Sequence, residues 1–140
     1  MFFRTNDRAI YERGLMMEDA GRTRAVVNLM TGHEDADRVT VAFLVATAGL
    51  AAGKDVVMFL TKEAVRMAVP GYADAIESAG APPVSRLFAQ FQEGGGTLYA
   101  CPICLDARHI PHDGLVANAR VAGATPLWEF IGDGATVFSY

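Results

Sequence analysis

Short apolar runs alternate along the chain with stretches whose apolar residues recur every three or four positions. Ala25-Val26-Val27-Asn28-Leu29-Met30 is a compact run with β-branched residues, closed by Thr31-Gly32. It predicts a buried strand followed by a turn. Asp35 to Ala52 then follows a helical period, with acids at its start and Gly53 as its stop. Asp55 to Leu60 predicts a second strand, with Thr61 placed to cap a helix running toward Val69. Pro70-Gly71 breaks that helix, and Tyr72 to Ala79 predicts another short helical turn. Pro82-Pro83 opens a helix over Val84 to Gln92 whose inward face is Leu87, Phe88 and Phe91; Gly94-Gly95-Gly96 ends it.

Thr97 to Cys101 predicts the third strand, Leu115 to Asn118 a helical turn and Val121-Ala122 a short strand. Thr125 is expected to cap a helix through Trp128 to Ile131, before a last strand over Ala135 to Phe138. Strands alternating with helices predict a three-layer α/β/α sandwich around a mostly parallel, about five-stranded sheet. Residues 23–140 are expected to form this single domain. Residues 1–22 carry only a weak helical stripe through Ile10, Leu15 and Met16, and read as an N-terminal arm or short helix. Right-handed crossovers bring every strand-to-helix loop to one edge, where ligands of open α/β sheets usually sit. The weaker candidates for a pocket edge there are Thr31, Gly32, His33, Thr61, Lys62 and Thr125.

Composition narrows the function classes. With 140 residues, 51% of them apolar and 20% charged, the chain can build a core without disulfide staples. A net charge of −4 and no basic cluster beyond Arg22 and Arg24 give no footprint for nucleic acid or an anionic membrane. The longest apolar stretch, Val41 to Gly53, is too short to span a bilayer, and MFFRTNDRAIYERG lacks a signal-peptide core. A cytoplasmic location is the resulting expectation. The segment NLMTGHEDAD has a single glycine and no nucleotide fingerprint, and the triple glycine precedes a strand rather than opening a helix. No cofactor is expected.

The chemistry concentrates in YACPICLDARHI, residues 99–110, which holds both cysteines. Cys101 ends a strand, and Pro102 suits the first position of a helix, where unpaired amides and the macrodipole favour a thiolate. Cys104 and Arg108 are four apart on one helical face, with Arg108 about two turns from Cys101. Alternatives remain open at this point: two buried structural cysteines, a thioredoxin-like exchange couple, or zinc held with His109 and His112, although that spacing is cramped. His33 reaches the same edge beside Glu34 and Asp35, Lys62-Glu63 reads as a surface pair, and Asp106 faces solvent or pairs with Arg108. Trp128 packs internally or marks a subunit contact.

VVNLMTG with its small-residue helix, VVMFLTKEAV, the strand into YACPICLDAR, and GATPLWEFIGDGATVFSY together resemble the DsrE/DsrF/TusD-like family of small α/β sulfur-relay-type proteins. The resemblance runs from about Arg24 to Tyr140. It implies a homotrimer or homohexamer that accepts persulfide sulfur on a cysteine after this strand and exchanges it with donor or acceptor proteins. Cys101 matches that cysteine, Arg108 the family's arginine seven residues on, and Cys104 is an extra thiol placed to resolve a persulfide. The family commonly has Arg-Gly where this chain has Arg108-His109, a change that bears on the loop because glycine accepts positive φ more readily than histidine. The competing reading is a non-catalytic oligomeric module that binds a small ligand and keeps structural cysteines.

Overall fold

The computed structural model describes residues 23–140. The arm or short helix expected over residues 1–22 lies outside the described residues. Among the described residues five strands form one sheet: β1 (Arg24–Leu29), β2 (Asp55–Leu60), β3 (Thr97–Ala100), β4 (Ala119–Val121) and β5 (Ala135–Ser139). Their order is β4-β3-β2-β1-β5, and every pairing is parallel. The α-helices are α1 (Ala36–Ala51), α2 (Val84–Glu93), α3 (Pro102–Ala107) and α4 (Ala124–Ile131). Among the described residues no helix is long and apolar enough to cross a membrane.

Alternation along the strands divides the sheet into two faces. On the front, Ala25, Val27 and Leu29 of β1 join Val56, Met58 and Leu60 of β2 and Leu98 and Ala100 of β3 in one buried cluster. Helix α1 closes it with Val39, Ala42, Phe43 and Ala46, and α2 with Val84, Leu87 and Phe91. Phe88 is only half-buried, but its ring meets Phe43 at 5.7 Å between centroids. The back face is covered more thinly. Helix α4 has no fully buried residue, yet it shelters Val26 and Val57, which are 2% and 3% exposed. Trp128 does not pack internally: it is 71% exposed.

The helix stops follow from the glycines. Gly53 at the end of α1 and Gly95 at the end of α2 both have φ in the left-handed region, at 83° and 89°. In each case the following amide reaches back five residues, Lys54 to Gly49 and Gly96 to Phe91, as a Schellman motif requires. Asp35 caps the start of α1, its carboxylate accepting from the Arg38 N–H at 3.0 Å.

Five expected elements differ. The segment after β2 is a 3-10 helix, Lys62–Ala68: the Ala64 N–H donates to Thr61 O at 3.0 Å and the Val69 N–H to Arg66 O at 2.9 Å, both reaching back three residues rather than four. Thr61 does not cap it by its side chain. The next turn is also 3-10 and stops at Ala75. Leu115 to Asn118 form a turn without helix, and β4 starts earlier than expected, at Ala119, where register with Leu98 is set. Helix α4 takes Gly123 as its N-cap, which leaves Thr125 one residue inside the first turn with no capping bond.

Candidate functional site

The carboxyl edge of the sheet carries α3, and α3 carries both cysteines. Cys101 is its N-cap and Pro102 its first residue. The Cys101 N–H donates to the Leu60 carbonyl at 3.0 Å, extending the β2–β3 ladder by one rung, and its own carbonyl accepts from Leu105 N–H at 3.0 Å. One residue thus closes the sheet and opens the helix. Leu105, fully buried, anchors α3 in the front core. Both thiols are free, half-buried and packed against that core. With six residues, α3 is about one and a half turns long. So short a helix sums few peptide dipoles, so the macrodipole at its start is weak.

The end of α3 places Arg108. The His109 N–H donates to Asp106 O at 3.1 Å and Ile110 N–H to Leu105 O at 3.0 Å. This is the same Schellman pattern that ends α1 and α2. Here, however, the left-handed position is occupied by His109, with φ 55°, instead of glycine. Ile110 and Leu105 both belong to the core packing, as the motif's apolar contact demands. Arg108 itself is the C-cap. Its Nη1 donates to the Cys104 carbonyl at 3.2 Å and its Nε to Glu63 Oε1 at 2.6 Å.

Glu63 is therefore the junction of the site. Besides Arg108 it accepts from Arg66 Nε, on Oε2 at 2.8 Å. The hydrogen bond from Arg66 first, and that from Arg108 next, hold its carboxyl below the usual glutamate range, against a smaller opposing effect of burial. Lys62, exposed and with φ 52°, makes the turn that carries the chain from Thr61 at the end of β2 to Glu63. An open cleft of about 580 Å³ beside it is lined by His33, Glu34, Glu63, Arg66 and Tyr72.

The loop after β1 is tied to this cleft by Tyr72. The His33 N–H donates to Tyr72 Oη at 2.9 Å, His33 Nε2 lies 3.1 Å from the Tyr72 carbonyl oxygen, and the two rings stack at 3.8 Å. Burial raises the Tyr72 phenol above its usual range. Gly32 has no positive φ; it is needed because a Cβ there would lie 2.3 Å from Tyr72 Oη. Its N–H donates to Glu34 Oε1 at 2.9 Å. Thr31 Oγ1 is buried with no hydrogen-bond partner among the described residues, Thr61 turns to the back face, and Thr125 is exposed on α4.

Sequence reasoning placed Glu63 only as half of a surface pair with Lys62, and it passed over Arg66 and Tyr72. The one available signal was the acid–base spacing Glu63 to Arg66, three apart. Asp106 does not pair with Arg108: its carboxylate meets His112 Nε2 at 2.6 Å. Among the described residues, no group of three or more His, Cys, Asp or Glu side chains is arranged to hold a metal ion.

Comparison with solved structures finds the YchN protein from E. coli, at a TM-score of 0.69 and 14% identity, over 84% of this chain and 99% of that one. At that identity the likeness speaks for the fold. No curated protein matches the chain. The model of the DsrE/DsrF-like family matches residues 24–140, from the first residue of β1 through the cysteine helix to Tyr140. The five-stranded parallel sheet and the family match agree, and the chain belongs to the DsrE/DsrF-like family.

Proposed function

We propose that this protein carries persulfide sulfur on Cys101. The observation that supports the reading most is the position of Cys101: a free, half-buried thiol where a central strand meets a helix at the carboxyl edge of the sheet, inside the family match. In the proposed reaction the Cys101 thiolate attacks the outer sulfur of a donor persulfide. A new S–S bond forms to Cys101, the donor's S–S bond breaks, and the donor leaves as a thiolate. An acceptor thiolate then removes the outer sulfur in the same way. Alternatively, the Cys104 thiolate attacks the Cys101 sulfur, forming the Cys101–Cys104 disulfide and expelling hydrosulfide. Arg108 supplies the positive charge of the site, held by Glu63 and the Cys104 carbonyl.

The reading implies donor or acceptor proteins and the cytoplasm, which keeps thiols reduced. It also includes self-association as a homotrimer or homohexamer, supported by the exposure of Ile103, Trp128 and Val137. The test is intact mass after incubation with a persulfide donor, for wild type, Cys101→Ser and Cys104→Ser. The expected result is one added sulfur, about 32 Da, on Cys104→Ser and none on Cys101→Ser, while wild type carries either that sulfur or the loss of about 2 Da that marks the Cys101–Cys104 disulfide. Cys101→Ser loading as much sulfur as Cys104→Ser refutes the assignment.

A further inference from the structure

A second surface of interest lies away from the cysteines, on the front of the sheet. Helix α1 packs on β1 and β2, and among the described residues it leaves the front of the edge strand β5 open. Thr136 and Phe138 stand opposite Ala25 and Val27 in register, so they share that front face. Between them and the flank of α1 runs a groove of about 490 Å³. Its α1 wall is Val45, Ala48, Gly49 and Ala52, a row at helical spacing that the exposed Val41 continues. Val27, Val56 and the exposed Phe138 complete it. Charge enters at one end only, with Arg24 and Lys54, and Lys54 has no ion pair among the described residues. Contiguous apolar surface of this kind marks a contact.

Position and charge name the occupant. Thr23, the first described residue, itself lines the groove, and its carbonyl accepts from the Asp55 N–H at 3.1 Å, next to Lys54. Residues 1–22 are therefore tethered at the cationic end. The sequence running into Thr23 is LMMEDAGR: Leu15, Met16 and Met17, then the acids Glu18 and Asp19. Glu18 is five residues from Thr23, at most roughly 18 Å of extended chain, so both acids can meet Lys54 while the apolar trio reaches the apolar walls. Methionine, unbranched and adaptable, suits an irregular groove. A short tether holds such a segment at an effective concentration on the order of millimolar, which a free partner must exceed to displace it.

We propose that residues 15–19 of the same chain dock in this groove, with Leu15, Met16 and Met17 against Val45 and Phe138 and with Glu18 and Asp19 against Lys54. The contact covers the front of β5 and is independent of sulfur chemistry at Cys101.

The test uses the full chain and reads tryptic cleavage after Arg13 by mass, beside NMR of the Val45 methyls and the Phe138 ring. Cleavage of a docked segment follows the population of its open form. Leu15→Asp combined with Met16→Asp should speed cleavage after Arg13 at least ten-fold and shift the Val45 and Phe138 resonances. Ala48→Trp, which fills the groove and leaves the segment unaltered, should speed the same cleavage at least ten-fold. Lys54→Glu, at the exposed rim, should speed it by a smaller factor, and this variant carries the groove side of the test should Ala48→Trp fail to fold. Wild-type cleavage and the Val45 and Phe138 resonances should not change on dilution. Cleavage after Arg13 as fast in wild type as in the double variant, Val45 and Phe138 resonances indifferent to that variant, or resonances that shift on dilution, as a second copy seated in the groove would give, overturns the proposal.

Discussion

Replacing His109 by glycine changes one residue at the end of α3 and leaves its hydrogen bonds available. The three Schellman ends of this fold provide an internal comparison: Gly53 and Gly95 occupy the left-handed position in two of them, His109 in the third. For an L-residue the left-handed region costs roughly 1–2 kcal/mol. Glycine returns part of that gain through its larger unfolded-state entropy, roughly 0.5–1 kcal/mol. His109 is exposed, so its side chain gives up little packing. His109→Gly should therefore stabilise the protein by about 1 kcal/mol, or roughly 2–5 °C in Tm for a chain of this size. Urea unfolding followed by circular dichroism, with a thermal scan beside it, reads the difference. His109→Ala keeps the strain and should stay within about 0.5 kcal/mol of wild type. A His109→Gly protein no more stable than wild type, or an alanine variant that gains as much, would show that the position is not strained.

Gly32→Ala should cost about 1–3 kcal/mol, because its Cβ meets Tyr72 Oη at 2.3 Å and forces the stacked tyrosine off His33. Combined with Tyr72→Phe the penalty should shrink, and a double-mutant cycle showing strict additivity contradicts the close approach. The acid limb of stability should include Glu63. Its folded pKa is depressed by Arg66 and Arg108, so its contribution is complete above the ordinary glutamate value and is lost as pH falls through the folded one. With its side chain 40% exposed, solvent screening keeps this contribution within about 1 kcal/mol. Urea midpoints measured from pH 7 to pH 3 should fall less steeply for Glu63→Gln than for wild type; superimposable curves remove Glu63 from the acid transition.

β1, β2, β3 and β5 were legible as short, mostly apolar runs bounded by turn signals, whereas β4, with Arg120 at its centre, was placed too late; Gly53 and Gly95 marked helix ends through the left-handed conformation they adopt. The position of Cys101 was legible too, since Pro102 has no amide hydrogen to lose at the first helical position. The caps were less so. A threonine near a helix start reads as a cap, yet α4 takes Gly123 as its N-cap and Thr125 falls inside the first turn. Lys62–Ala68 looked helical because periods of 3.0 and 3.6 hardly separate within seven residues. The Glu63–Arg108 bond spans 45 residues and depends on the turn at Lys62, a tertiary fact with no local pattern.

That bond also alters what Arg108 can contribute to the thiols. Spacing alone placed Arg108 on the helical face of Cys104, about two turns from Cys101, with Asp106 as its candidate partner. In the structure two of its donors are committed, Nε to Glu63 and Nη1 to the Cys104 carbonyl, and both bonds fix the plane of the group. A guanidinium has five N–H donors, so the others stay available to an anion while the first two hold. Lysine, with its donors on one atom at the end of a flexible stem, cannot divide them in this way. The Schellman turn at His109 fixes the Arg108 backbone, Glu63 fixes its side chain, and Lys62 fixes Glu63. Two of these three residues, Lys62 and His109, hold left-handed φ without being glycine. Backbone strain of this kind persists where surrounding contacts over-determine it and clusters at functional sites. Among the described residues both instances support the same arginine: one carries Glu63, which accepts from Arg108 Nε, and the other follows Arg108 at the end of the helix that bears Cys104.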